Sequence, residues 1–212
     1  ILANFYRIPL ITIDNQHLLT NFNIKIPEKH KLDFNLAKIV INTFSKGSKY
    51  FIVTGFGNEK PVDKNTFLVY PIIREDVRKL KPKYGKKILV YLNEQSKETD
   101  EKAIEILKKI NEKFVVFGYN INKKDENLEF KSKDFFFEYF LKELKNCKAI
   151  IATSGFSLMS EAIYLKKPYL ALPLKGQFEQ VLNSLFLKES GFGEYTENLN
   201  EKEVLRFLDN LE

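Results

Sequence analysis

From residue 86 onward, short apolar runs alternate with amphipathic stretches, and this rhythm leaves few folds open. Residues 87–92 (KILVYL), bounded by Gly85 and the polar run 93–96, read as a buried strand. A helix follows over 99–111, with Ala103, Ile104, Leu107 and Ile110 on one face and charges on the other. Residues 114–117, stopped by Gly118, predict a second strand, and Leu128–Phe130 a weaker third. Asp134 caps a helix reaching about Asn146, and residues 148–152 form the fourth strand. A helix over 157–165, a strand at Tyr169–Leu172 stopped by Pro173, a helix over 177–189 ended by Gly191 and a last helix over 200–211 complete the pattern. Strands and helices alternating at this spacing predict βαβ units, hence a parallel sheet with right-handed crossovers. Residues 81–212 therefore read as one nucleotide-binding-type α/β domain.

Residues 1–80 read differently: a strand at 8–13, a loop, a helix at 33–44, a strand at 50–54, an extended piece at 67–71 and a short helix at 74–80. That is too little to build a parallel sheet covered on both faces. The expectation is the C-terminal part of a preceding α/β domain plus a connector, in a chain that begins inside a fold. The first residue is Ile, and the apolar opening is interrupted by Arg7 and Pro9, without the basic start and cleavage site of a signal peptide. No apolar run reaches the roughly 18–20 residues needed to span a bilayer.

The loops after the last strands carry the chemistry. Ala152-Thr153-Ser154-Gly155-Phe156-Ser157 ends a strand in small residues and opens a helix, exposing free N–H groups and a positive dipole end suited to phosphate. Gly155 lets a ligand approach the backbone. Ser154 or Ser157 acting simply as an N-cap explains the same residues equally well. Glu161 lies one turn beyond Ser157, where a carboxylate favours the dipole or takes a pair of adjacent hydroxyls such as a ribose diol. In the 177–189 helix, Phe178, Val181, Leu182, Leu185 and Phe186 form the expected buried stripe, leaving Gln177, Gln180, Asn183 and Ser184 off it. Uncharged amides at a helix start suit sugar hydroxyls, although they are equally at home on an exposed face. Gly176 directly before them favours a ligand-facing end.

Several chemistries lack their residues. There is no G-x-G-x-x-G, no Walker A and no G-x-S-x-G, and His17 and His30 are the only histidines, so no metal set is expected. The single cysteine, Cys147, precedes an apolar strand and reads as a small buried hydrophobe in a reducing compartment. Net charge is +6, densest from Arg78 to Lys87, where Tyr84 is the only aromatic. Without a stacking platform this reads as a solvated linker, and nucleic acid is not an expected partner.

Ser154-Gly155-Phe156-Ser157-Leu158-Met159-Ser160-Glu161-Ala162, then Lys167-Pro168, Leu172-Pro173 and Gly176-Gln177-Phe178-Glu179-Gln180-x-x-Asn183, resembles the donor-binding signature of GT-B glycosyltransferases. The likeness is to the family 28 type, which includes the transferase of the lipid-linked peptidoglycan precursor, and to related glycosyltransferase-like proteins. It covers about residues 86–193 strongly and reaches back weakly to residue 1. The resemblance implies inverting transfer of a sugar from a nucleotide diphosphate sugar, expected to be UDP-linked, without a cofactor or an obligatory metal. Carried over, Glu161 matches the ribose-holding glutamate, Ser154, Gly155 and Ser157 the diphosphate loop, and Gln177 and Gln180 the sugar-facing pair with Asn183 in support. Asn15-Gln16-His17 falls near the interdomain cleft, where relatives carry a carboxylate-Gln-Asn run, so His17 is the one catalytic candidate here. Residues 93–96 lack the family's glycine-rich start. The expected general base lies upstream of residue 1, leaving a chain that binds donor and turns over poorly. A sugar-nucleotide epimerase of the same fold and a non-catalytic nucleotide-sugar binder are the alternatives. A cytoplasmic protein is expected, in keeping with the single cysteine. A lipid-linked acceptor and peripheral membrane contact are suggested by the basic stretch and by Phe135-Phe136-Phe137.

Overall fold

The computed structural model describes residues 2–57, 59–92, 97–119, 122–132 and 136–211, the side chains of 4, 97–100 and 136–137 excepted. The expected contacts of the 93–96 loop, the Asp134 cap and the Phe135–137 side chains lie outside this description.

The first part runs α1 (Leu2–Phe5), β1 (Leu10–Asp14), α2 (Leu18–Asn21), a 3-10 turn (Glu28–His30), α3 (Lys31–Phe44), β2 (Ser48–Thr54), β3 (Thr66–Val69) and α4 (Glu75–Arg78). Its strands form a parallel sheet in the order β1-β2-β3. The register places Ile11 beside Tyr50, Ile13 beside Ile52 and Ile52 beside Phe67, so these side chains share one face. Phe51, Val53 and Leu68 point the other way and pack with Ile41 of α3.

The second part runs β4 (Lys87–Tyr91), α5 (Lys97–Lys108), β5 (Lys113–Phe117), β6 (Lys123–Asp125), β7 (Leu128–Phe130), α6 (Phe136–Asn146), β8 (Ala149–Thr153), α7 (Phe156–Tyr164), β9 (Tyr169–Leu172), α8 (Phe178–Glu189), β10 (Gly193–Tyr195) and α9 (Glu201–Asp209). The sheet order is β10-β9-β8-β4-β5-β7-β6, parallel throughout except for β6 against β7. Its strands are apolar on both faces because helices cover both. Ile88, Val90, Val116 and Ile151 pack under α5 and α9, through Leu107, Val204 and Phe207. Leu89, Val115, Ile150 and Ala171 pack under α6 and α7, through Leu144, Met159 and Ala162.

Two strands escape the sequence pattern. β6 is a charged three-residue edge, and β10 begins with a glycine, ordinarily a strand breaker. Gly193 is needed there because a Cβ would stand 2.3 Å from the Tyr169 carbonyl oxygen. A further difference concerns α8. Val181 and Leu185 are only partly buried, whereas Gln180, Asn183 and Ser184 are 8%, 2% and 0% exposed. The helix is wedged between the two sheets, so its polar side has no solvent to face: Phe178, Leu182 and Phe186 meet the first sheet's core, and the amides meet the end of β8.

Candidate functional site

The larger sheet winds outward from β4 through β5 to β7, then returns to place β8 on the other side of β4. The crevice at the carboxyl ends of β4 and β8 is thus the switch point, where open α/β sheets bind ligands. Residues 153–157 lie there, at the end of β8 and the start of α7.

Gly155 is the N-cap of α7, and no side chain caps that helix. The first-turn N–H groups therefore lack partners within the helix, which makes them anion donors. A Cβ at Gly155 would meet nothing within 4 Å, so the backbone faces open space. The neighbouring loop is arranged alike: Gly176 takes φ +77, a left-handed turn that favours glycine, and its Cβ position is also open. Gln177 then caps α8 by position, without a side-chain cap bond, and stays exposed.

A buried polar network holds these two loops together. The Gln180 carbonyl Oε1 accepts from the Ser154 N–H at 3.2 Å and the Leu174 N–H at 3.3 Å. Gln180 Nε2 donates to Gln177 Oε1 at 3.0 Å. Asn183 Nδ2 donates to the Ser154 carbonyl at 3.1 Å. Ser184 donates to the Gln180 carbonyl at 2.9 Å, which leaves the Ser154 hydroxyl as donor across the 2.6 Å Ser154–Ser184 contact. Gln180 and the Ser154 hydroxyl thus spend their polar atoms on loop shape, as does the Asn183 amide nitrogen. Gly155, Ser157 and Gln177 are the sequence-expected residues that face outward.

Glu161 is elsewhere engaged. Its carboxylate, 2% exposed, accepts from Arg74 Nε at 2.5 Å and Nη2 at 2.7 Å. Arg74 belongs to the connector between the sheets, and the two-pronged pair fastens α7 to it. Nothing in the local sequence around either residue announces this bond, which spans 87 positions.

The first sheet presents the end of β1 to the same region. Asn15 Nδ2 and Gln16 Nε2 donate to the two Glu179 carboxylate oxygens at 3.2 and 3.0 Å, bridging to the first turn of α8. Glu179 was not among the sequence-expected site residues; two amides following a strand end were the available signal. His17 sits beside them but points inward. It is 3% exposed, its Nδ1 lies 2.8–2.9 Å from the Asp14 carboxylate, and its ring packs at a tilt against Phe51, centroids 4.7 Å apart. Its Nε2 is buried without a partner. Elsewhere, burial pushes the Cys147 thiol up to about 12, so it stays an inert core group. Among the described residues no group of three or more His, Cys, Asp or Glu could hold a metal ion.

Comparison with known proteins agrees with this architecture. The glycosyltransferase of kitacinnamycin superposes with a TM-score of 0.64 at 13% identity, covering 99% of this chain and 64% of its own. UGT2 of Phytolacca americana, solved with UDP-2-fluoroglucose and pterostilbene, gives 0.67 at 11% identity, covering 99% and 62%. An indoxyl-glucosylating UDP-glucosyltransferase of Polygonum tinctorium gives 0.66 at 12%, covering 99% and 63%. At such identities the likeness establishes the GT-B fold, and this chain spans 62–64% of those chains' length. Among curated proteins, none matches the sequence. The family model for glycosyl transferase family 1 matches residues 1–212, and the chain belongs to that family.

Proposed function

We propose that residues 81–212 bind a nucleotide diphosphate sugar, UDP-linked, at the switch-point crevice beyond the carboxyl ends of β4 and β8, against the loop that follows β9, with residues 1–80 on the acceptor side. The observation that carries this reading is the uncapped start of α7 beside Gly155, with open space before it and Gly176-Gln177 opposite. The N–H groups of the first turn take the diphosphate. Gln177, and the Glu179 carboxylate shared with Asn15 and Gln16, are placed to take sugar hydroxyls. Transfer is by displacement with inversion. An acceptor hydroxyl oxygen bonds to the anomeric carbon as the carbon–oxygen bond to the diphosphate breaks; the leaving diphosphate keeps the electron pair, and the hydroxyl proton passes to a general base or to water. Its charge is offset by the helix end, which is in place before the reaction. A metal-independent reaction rests on the family 28 resemblance, and a lipid-linked acceptor on the basic stretch from Arg78 to Lys87 and the Phe135-Phe136-Phe137 run of the sequence.

Glu161 reaches the ribose only by exchanging Arg74 for the two hydroxyls, so in this reading the ion pair opens when the nucleotide enters. His17 takes no role as base while its Nε2 is enclosed.

Thermal unfolding with UDP, GDP and UMP tests the proposal. Saturation at about a hundredfold over Kd should raise Tm by roughly 5–10 °C. Gly155→Val should abolish this shift while unfolding at the unliganded temperature, since φ −67 and ψ 127 suit valine and the Cβ space is empty. No shift with any nucleoside diphosphate at millimolar concentration would refute the site. Product analysis with a cleaved donor then separates transfer from epimerisation, and chelator addition tests metal independence.

A further inference from the structure

A second concave surface runs along α7. Phe56, Tyr70, Ile72, Ile163, Tyr164 and Phe192 line a groove of about 560 Å³, with Arg78 at its rim. Tyr70 is 80%, Ile72 77%, Tyr164 48% and Phe192 46% exposed, an unusual concentration of large apolar groups on loops and a helix end. The groove continues into the basic stretch. Tyr84, 66% exposed, donates to the Lys166 carbonyl at 3.1 Å, two residues beyond Tyr164, and so ties residues 81–86 to that end of α7. Lys79, Lys81, Lys83, Lys86 and Lys166 are all exposed along this edge. Acids also lie along this edge: Glu75, paired with Lys79 at 2.6 Å, and Asp76, while Glu189 and Glu194 flank Phe192 in the sequence.

We propose that this face docks on an anionic lipid bilayer. The composition fits an interface better than a protein partner's dry core. Three of its exposed rings are tyrosines, apolar in body and polar at the tip, which is the character that seats aromatic rings at headgroup depth. Long lysine side chains around them reach phosphate headgroups while their stems lie on apolar surface. Apolar insertion and electrostatic attraction together give reversible adhesion that neither supplies alone. The open face of the first sheet is a different object, built from strand residues such as Ile11, Ile13, Ile52 and Phe67, with the Lys49 ammonium 5.6 Å over the Tyr50 ring. Docking here would also orient the candidate site. Tyr164 lies seven residues along α7 from Ser157, roughly 10 Å at the helical rise, so the uncapped end of α7 stands just above the membrane surface.

The test is co-flotation of the full chain with phosphatidylcholine vesicles, with and without a quarter phosphatidylglycerol, at low and high salt. Binding should require the anionic lipid and weaken on raising the salt. Lys79→Glu/Lys81→Glu/Lys83→Glu should lower the partition by roughly a hundredfold or more, and Ile72→Asp should lower it at unchanged charge elsewhere. Ile13→Lys, on the open sheet face, should leave it unaltered. Circular dichroism and the unliganded Tm confirm that each variant is folded; both sets of substitutions are at exposed positions. The proposal is overturned by absence of binding to anionic vesicles, by binding that survives the triple reversal, by loss in Ile13→Lys instead, or by patch-dependent binding to RNA but not to vesicles. None of these outcomes bears on the nucleotide shift, so the two proposals fail separately.

Discussion

The two parallel sheets are built from the same kind of strand, yet they end in different surroundings. In the seven-stranded sheet both faces are sealed: Leu89 and Val90, adjacent and pointing oppositely, are each 0% exposed. In the three-stranded sheet only the face bearing Phe51 and Val53 is covered. Its other face leaves Ile11 53%, Ile13 59% and Phe67 51% exposed. Alternation within β1 is therefore inverted from the usual sense: Ile11 and Ile13 face outward, while Leu10, Thr12 and Asp14 lie on the partly buried side. A parallel sheet with helices on one face alone keeps the sequence of a buried sheet without its second layer. The contrast separates what strand composition encodes, which is the expectation of burial, from what the rest of the fold supplies, which is the cover.

The largest effect should come from the sealed sheet. Ile150, fully buried in the inner strand β8, packs in the core under α6 and α7. Ile150→Ala should cost about 3–4 kcal/mol by urea denaturation. A cost under about 1 kcal/mol would mean that the core repacks and that the two sheets differ less than their exposures suggest.

Next comes the join between them. Arg74→Ala leaves the Glu161 carboxylate buried without its partner, and should cost about 2–3 kcal/mol. Combining it with Glu161→Leu should recover most of that loss, because an apolar side chain needs no counter-charge. Simple additivity in the double-mutant cycle would show that the connector is not fastened through this pair.

That pair also marks where reading the sequence stops. The elements of the larger sheet were legible because each apolar run and helical stripe is a local pattern; β8, α7 and β9 fall within a residue or so of their expected bounds. The loops at 153–157 and 173–177 were legible as a ligand-facing end because glycine and small residues carry meaning at such positions. The partners were not. Arg74 reads locally as the start of a short helix, and only tertiary structure brings it to Glu161. Gln180 and Asn183 were recognised as unusual polar residues, but whether an amide binds a sugar or a neighbouring N–H depends on what stands opposite. Here the Ser154 and Leu174 backbone does.

A smaller effect distinguishes the edge of the sealed sheet. Glu129 of β7 is held down to about 2 by Lys131 and by Lys87 of β4, against an ordinary value of 4.5. A depressed carboxyl contributes stability above its unfolded value and loses it as pH falls through the folded one, here between about 4.5 and 2. The pairs are partly exposed, so screening reduces the contribution to about 1 kcal/mol. Glu129→Gln should therefore lower stability at pH 7 by that amount and match the parent near pH 2. A difference that persists undiminished at low pH would point to lost packing rather than lost charge.

The smallest effect is expected where the comparison is most exposed to failure. Ile13 sits on the open face of β1, and lysine there keeps the strand's hydrogen bonds while its stem lies over Ile11 and Ile52. Ile13→Lys should change the urea midpoint by less than the equivalent of about 0.5 kcal/mol, with no dependence on protein concentration. The same substitution in β8 would place a charge in a sealed core, so near-neutrality at Ile13 is informative. A cost of several kcal/mol would mean that the face is covered in solution, and dependence of that cost on protein concentration would identify a second copy as the cover. The two sheets would then be alike in burial, differing only in whether the covering layer lies in the same chain.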